Sequence, residues 1–512
     1  AGANTAALSK ANIIYFTTQA TTTEFNTVDG VTSATLVLIA GMGDDVQNFA
    51  DASGTATTAL TNIDTEDPDC VITVNDVANV AQFDTINTKT TSDVILAGGV
   101  SDVGSKFAAA NGTATASLTA MTTQDPDVAI TVTDAINVAQ AVTIADATTG
   151  TVVFQGGISD ELSNLAESGS VVAGVTNIVT HDADVAITIT GNLVGTNVAD
   201  LNAVTAVRTG EVIGTISGTA AQLDDLTSPN TKDNLTITVS NAVTVAQGNT
   251  IAKATTNAAV DFSAAGVNDT FANMLNGNLV HASLTQIKTK DGDVKIVISD
   301  TIENASADNI TQLNALGNTT TGILQASIDG NAAQLDDLTA NATQSANCTY
   351  TIVVDDVATV TQAKAIIDAT SVATVDFSAA GLTGALATYI GSGVNTVHAD
   401  LTAIKNKDSD INIVITPAIE NITDAQVIQV NNIAALTAGS VTASIDGNSA
   451  QLDDLAANET NATCAFTIVV DDAATVTQGK VIVDATSIAT VDFSAGLTGD
   501  LAIHNGTYTI TY

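Results

Sequence analysis

Residues 351–381 read TIVVDDVATVTQAKAIIDATSVATVDFSAAG, and the same line returns at residues 467–496 as TIVVDDAATVTQGKVIVDATSIATVDFSAG. Weaker copies run at 236–266 (TITVSNAVTVAQGNTIAKATTNAAVDFSAAG) and 129–157 (AITVTDAINVAQAVTIADATTGTVVFQGG), and VITVNDVANVAQ starts at Val71. A chain that repeats itself on this scale is a stack of equivalent units, each burying its apolar face on its neighbours.

Working outward from that stretch, the unit is about 57 residues long: Gln82 and Gln140 lie 58 apart in matching VAQ triplets. Further on, two unit types alternate and the combined period doubles to about 115. QLDDL begins at Gln222, Gln334 and Gln451, and His281 and His398 stand 117 apart. Within one unit a β-branched run such as VAITVTD predicts a short strand. AINVAQAVTIADA, with Val138, Ala141, Val142 and Ala145 at helical spacing, predicts a helix. TVVFQGG then predicts a second strand. In SDELSNLAESG, Leu162 and Leu165 suggest one more helical turn, ended at Gly169. Short strands alternating with short helices imply parallel pairing through crossovers. The expected fold is therefore α/β, a parallel β/α solenoid with coils of roughly 20–30 residues. An all-β right-handed β-helix is the alternative, and a string of sandwich domains comes third. Residues 1–60 match the repeat poorly and read as an N-terminal cap or docking segment, in which TLVLIAGMG (35–43) looks like one buried strand. Residues 61–500 form the array, and 501–512 a terminal strand.

Composition narrows the function. The 512 residues are 45% hydrophobic, enough for a packed core rather than an acidic disordered tail. With 55 acidic residues against 13 basic ones, the net charge is −42 and Arg208 is the only arginine. Such a surface repels phosphate, so nucleic acid and anionic membranes are not expected partners, whereas cations are. No apolar run reaches the length of a membrane span. The first residues hold no charged-then-apolar leader, which fits a mature secreted chain or one that begins at an arbitrary point. Cys70, Cys348 and Cys464 each stand at a strand start. They read as small buried residues, with an intermolecular bridge as the other reading.

The candidate sites repeat as well. Asp67-Pro-Asp69, Asp125-Pro-Asp127, Asp182-Ala-Asp184, Asp291-Gly-Asp293 and Asp408-Ser-Asp410 all immediately precede a strand. Carboxylates at i and i+2 can supply the hard oxygens that Ca²⁺ needs, and aspartate is equally a good turn residue. A second row, Asp76, Asp134, Asp300, Asp355, Asp356, Asp471 and Asp472, lies at strand ends and reads as helix capping. The glutamines of VAQ or VTQ (Gln82, Gln140, Gln247, Gln362, Gln478) suit backbone capping between coils. The acidic pairs of QLDDL suit a solvated helix face. None of His181, His281, His398 and His504 sits in a metal or catalytic motif, and no nucleophile elbow or phosphate loop is present, so catalysis is not expected. Twelve sequons, Asn111 and Asn421 among them, permit glycosylation without showing it. At the end of the chain Tyr508, Ile510 and Tyr512 alternate with threonines. This strand is either a capping hairpin or an edge completed by the next subunit.

The repeats TVTDAINVAQAVTIADAT, GNAAQLDDL and ISDELSNLA resemble those of long tandem-repeat surface proteins of bacteria, cyanobacteria included. The resemblance implies secretion and a surface role as adhesin stalk, surface-layer component or extracellular fibre. A structural subunit of a filament, sheath or surface layer, a homopolymer with divalent cations as further partners, is the first expectation. An adhesive or carbohydrate-binding module that meets surface glycans is the second, and a lyase or hydrolase on a β-helix the distant third.

Overall fold

The computed structural model describes residues 12–499 apart from 228–231, 257–258, 263–264, 372–373, 378–380, 394–395, 456–462 and 488–490. It is an α/β protein of many small parallel sheets and short helices, divided into two compact units: Ala1–Ser240 with Thr250–Val260, and Asn241–Asn249 with Asp261–Tyr512.

In the first unit, Met42–Asp44 pairs with Ile72–Val74 and that strand with Val94–Leu96. Val100–Asp102 pairs with Ile130–Val132 and that strand with Val152–Phe154. Ile158–Glu161, Ile187–Val194, Val212–Gly218 and Asn234–Val239 follow in one sheet. All these ladders are parallel, and partners lie 21 to 30 residues apart, as in Met42↔Ile72 and Ile213↔Asn234. The bridges Ala78↔Val100 and Ile136↔Ile158 carry the pairing from one ladder to the next.

The second unit uses the same step. Val267–Asp269, Ile296–Ile302, Ile323–Gly330, Asn347–Val354 and Val375–Asp376 make one five-stranded sheet. Leu382–Gly384, Ile413–Ile419, Ser440–Gly447, Thr463–Val470 and Val491–Asp492 make another. Their partners stand 23 to 31 residues apart.

Many of the strands are only two or three residues long. Inward positions such as Ile72, Val74, Val94, Leu96, Ile130 and Val132 are buried, and the parallel connection requires a crossover. The crossover is a helix of two to three turns, Val80–Asn87 and Val138–Ala147 in the first unit and Val360–Asp368 and Val476–Asp484 in the second. Helices at these positions displace the all-β alternative. Each starts in a reciprocal capping box. Asn79 accepts the Gln82 N–H at 2.9 Å and Gln82 accepts the Asn79 N–H at 3.0 Å, and Thr359 and Gln362 do the same.

Two local expectations change. TLVLIAGMG is two strands, Thr35–Val37 and Met42–Asp44, separated by a turn. The turn is set by Gly41 at φ +75°, where a Cβ would stand 2.6 Å from the Val71 carbonyl oxygen. The same turn recurs at Gly99 and Gly157. Gly169 does not end the helical turn Leu162–Leu165; it lies at φ +76° in the hairpin joining Ala166–Glu167 to Ser170–Val171. The repeat's bonding also extends upstream of its sequence likeness: Ala20 bridges Met42, and Thr22 N–H donates to Asp44 Oδ2 at 3.0 Å.

Candidate functional site

The five DxD turns have one construction. A helix ends on the first aspartate, whose own N–H donates to the helix, as Asp125 N–H does to the Met121 carbonyl at 2.8 Å. Its side chain turns inward and accepts the N–H of a residue at the end of a strand 28 to 31 residues earlier. Asp67 accepts from Leu38, Asp125 from Leu96 at 2.7 Å, Asp182 from Phe154 at 2.7 Å, Asp291 from Phe262 at 2.8 Å and Asp408 from Phe377 at 2.8 Å. These five carboxyls are only 6–8% exposed. The second aspartates, Asp69, Asp127, Asp184, Asp293 and Asp410, are exposed. Burial pushes each inner carboxyl above the ordinary value, the strand N–H pulls it back, and the neighbouring aspartate raises it again. Asp291 and Asp408 are pushed up to about 6.

The strand-end row also caps backbone, but that of residues 23 to 30 positions earlier. Asp76 accepts the Val46 N–H at 2.6 Å, Asp134 that of Gly104 at 2.6 Å and Asp300 that of Phe271 at 2.7 Å. Asp356 accepts the Ala332 N–H at 2.6 Å and Asp472 that of Ser449 at 2.6 Å. Asp355 and Asp471 do not follow this pattern: each stands within hydrogen-bonding reach of Asp329 or Asp446 on the preceding strand. That contact is the first cause raising both carboxyls, Asp355 to about 6.

A third row escaped the sequence reading. Asp102 accepts the Val80 N–H at 3.1 Å, Asp160 that of Val138 at 3.0 Å and Asp269 that of Val245 at 3.0 Å. Each donor is the first residue of a helix 22 or 24 residues earlier, where the backbone has no partner of its own. The signal was available: an aspartate stands 22 or 24 residues after the valine that opens each VAQ triplet.

Buried threonines form a fourth row, also missed. Thr90, Thr148, Thr320 and Thr437 donate to the carbonyls of Cys70, Val128, Val294 and Ile411 at 2.6–2.7 Å. Each accepts the N–H two residues on at 2.9–3.0 Å. Arg208 makes a comparable bond, its Nη1 donating to the Val185 carbonyl, 23 residues earlier, at 3.1 Å. Its Nη2 lies 3.5 Å from Asp233 Oδ1, both side chains fully buried. Asp233 in turn accepts the Val212 N–H at 3.1 Å. Burial lowers the guanidinium to about 10 against the pull of Asp233 and Glu211.

The remaining candidates fall on the scaffold. Gln82 and Gln140 close capping boxes and also donate Nε2 to the Ala50 and Ala108 carbonyls, 32 residues earlier, at 3.1 and 2.9 Å. His281 and His398 are N-cap residues whose Nδ1 accepts the N–H of Ser283 and Asp400 at 3.2 Å. The QLDDL aspartates do not line a helix face: Leu223, Leu335 and Leu452 end one-turn helices and the acidic pair follows them. Cys70, Cys348 and Cys464 are buried free thiols. Tyr508, Ile510, Tyr512 and His504 lie outside the described residues. Among the described residues no three His, Cys, Asp or Glu side chains group as a metal site, and no helix is long and apolar enough to cross a membrane. Comparison with protein-family models and with curated proteins finds no match for this chain.

Proposed function

We propose that the chain is a structural subunit of an extracellular filament, sheath or surface layer, built as a parallel β/α solenoid and assembling through repeated or end-to-end contacts. The observation that carries this reading is where the buried polar side chains go. The inner aspartates of the DxD turns, the two capping rows apart from Asp355 and Asp471, and the threonine row recur unit after unit, and these copies bind backbone of the coil before them. A catalytic centre needs a constellation that occurs once; a load-bearing stack needs one that recurs. Arg208 with Asp233 is a once-only charged pair, and it is sealed from solvent in a backbone-binding role. The net charge of −42 keeps such an array apart from its copies at low salt and makes cations its natural bridging partners. The exposed aspartates of the DxD turns are where Ca²⁺ would act between or within subunits.

Electron microscopy of the purified protein, with and without chelator, tests the reading. Regular fibres or sheets are expected. Their dissolution by chelator would assign the exposed DxD carboxylates to a cation. Single particles in both conditions overturn the polymer and favour an adhesive stalk that presents its repeated face to surface glycans.

A further inference from the structure

We propose that Asn276 is a self-modifying site: the backbone nitrogen of Gly277 attacks its side-chain amide, and the chain converts this asparagine to aspartate and isoaspartate without an enzyme. The pair stands at the tip of an antiparallel hairpin in which Leu275–Asn276 meets Leu279–Val280. Asn276, Gly277, Asn278 and Leu279 are all exposed. Gly277 lies at φ +63°, and nothing stands within 4 Å of where its Cβ would be. A residue without a side chain leaves its nitrogen open to close approach. Among the described residues none hydrogen-bonds to the Gly277 N–H or to the Asn276 side-chain amide.

The reaction needs only water. The Gly277 N–H gives its proton to solvent and the nitrogen bonds to Asn276 Cγ. The Cγ–Nδ2 bond breaks, the leaving nitrogen takes a proton from solvent and departs as ammonia, and a cyclic imide remains. Water then adds to one of the two imide carbonyls and the bond from that carbon to nitrogen opens. Opening at Cγ gives aspartate; opening at the backbone carbonyl carbon gives isoaspartate, with the chain running through Cγ. The second product adds a methylene to the backbone and a negative charge at the tip. It falls where Gln312 Nε2, on the helix Ala307–Gly317, donates to the Gly277 carbonyl at 3.4 Å and to Asn278 Oδ1 at 3.3 Å. The longer backbone loosens that tie.

The other described Asn–Gly pair shows the protected case. Asn111 Oδ1 accepts the Thr113 N–H at 3.1 Å, and the Gly112 N–H donates to the Ala109 carbonyl at 2.8 Å. The Gly112 carbonyl accepts from Thr143 Oγ1 at 2.5 Å, and a Cβ on Gly112 would stand 3.1 Å from the Ala139 carbonyl oxygen. Both the attacking nitrogen and the amide it would attack are therefore held, and attack must first break those bonds. Asn505–Gly506 lies outside the described residues. The reaction is internal to one chain and needs no assembly, so it stands or falls separately from the polymer reading.

The test is peptide mapping by mass spectrometry after the full chain has been held folded in mildly alkaline buffer, with a second sample held in denaturant. Each pair is read relative to its own rate in denaturant. In the folded chain Asn276 should gain the amide-to-acid mass and split into two chromatographic forms, aspartate and isoaspartate. Asn111 should lag it by about tenfold, the factor that one hydrogen bond adds to a barrier. Asn276→Gln keeps the amide and lengthens its side chain past the favourable ring size, so the mass change in that peptide should stop. Asn111 keeping pace with Asn276 in the folded chain overturns the proposal. So does an Asn276 that reacts only in denaturant, or an Asn276→Gln chain whose peptide still changes at the wild-type rate.

Discussion

At the scale of the residue, what distinguishes this chain is that its buried polar atoms work on backbone. Thr437 donates at 2.7 Å and accepts at 2.9 Å through one hydroxyl, joining the Ile411 carbonyl to the Gly439 N–H. Arg208 replaces that hydroxyl with a guanidinium and therefore needs Asp233 beside it. A buried pair of this kind contributes little net stability, yet removing one member strands the other charge. Arg208→Met should cost about 3–5 kcal/mol in urea denaturation. Arg208→Thr paired with Asp233→Asn, which restores the hydroxyl and leaves an acceptor for Val212, should recover most of that loss. Equal losses in the single and double variants would show that the stranded charge is not the cause. Little of this was legible beforehand. Threonine is so frequent here that the buried copies do not stand out, and their partners lie 20 to 26 residues away. The DxD aspartates did stand out, but sequence could not say that the inner one turns to a strand and the outer one to solvent.

At the scale of the element, the aspartate rows all point one way along the chain. The donor N–H belongs to the earlier segment and the carboxylate to the later one, as for Val80 with Asp102 and Gly104 with Asp134. A helix is thus completed by an aspartate 22 or more positions after its start. The first turn of Val80–Asn87 is held twice, by Asn79 from within and by Asp102 at the end of Val100–Asp102. Asp102→Ala should cost about 1–3 kcal/mol, since it removes a charge-assisted bond to backbone. Hydrogen exchange should rise in residues 80–87, 22 positions upstream, rather than at the substituted strand. Faster exchange confined to residues 100–102 would show that the carboxylate serves its own strand. Element types were readable because strand and helix periods alternate inside a repeated unit. Residues 35–43 misread because a run of apolar residues carries no mark of where a strand stops. Only the backbone shows that Gly41 sits against Val71 and breaks it in two.

At the scale of the whole molecule, every parallel strand partner among the described residues lies within 31 residues, so ordering one strand pair asks little of distant chain. Contacts this local make stability a sum over segments and their immediate neighbours, and cooperativity then weakens with length. The chain also divides into two compact units of similar size. Denaturation in guanidinium should accordingly show more than one transition, with an apparent slope smaller than a two-state chain of this length gives. Thr148→Val and Thr437→Val place the same loss in different units, because both hydroxyls are buried and make the same two bonds. Each should cost about 1–3 kcal/mol by leaving a carbonyl and an N–H unpaired. Thr148→Val should lower the midpoint of one transition and leave the other in place, and Thr437→Val should do the reverse. If both variants move a single common transition by the same amount, the units unfold together. Coupling would then have to reach well beyond the neighbouring coil, through contacts that the strand register alone does not supply.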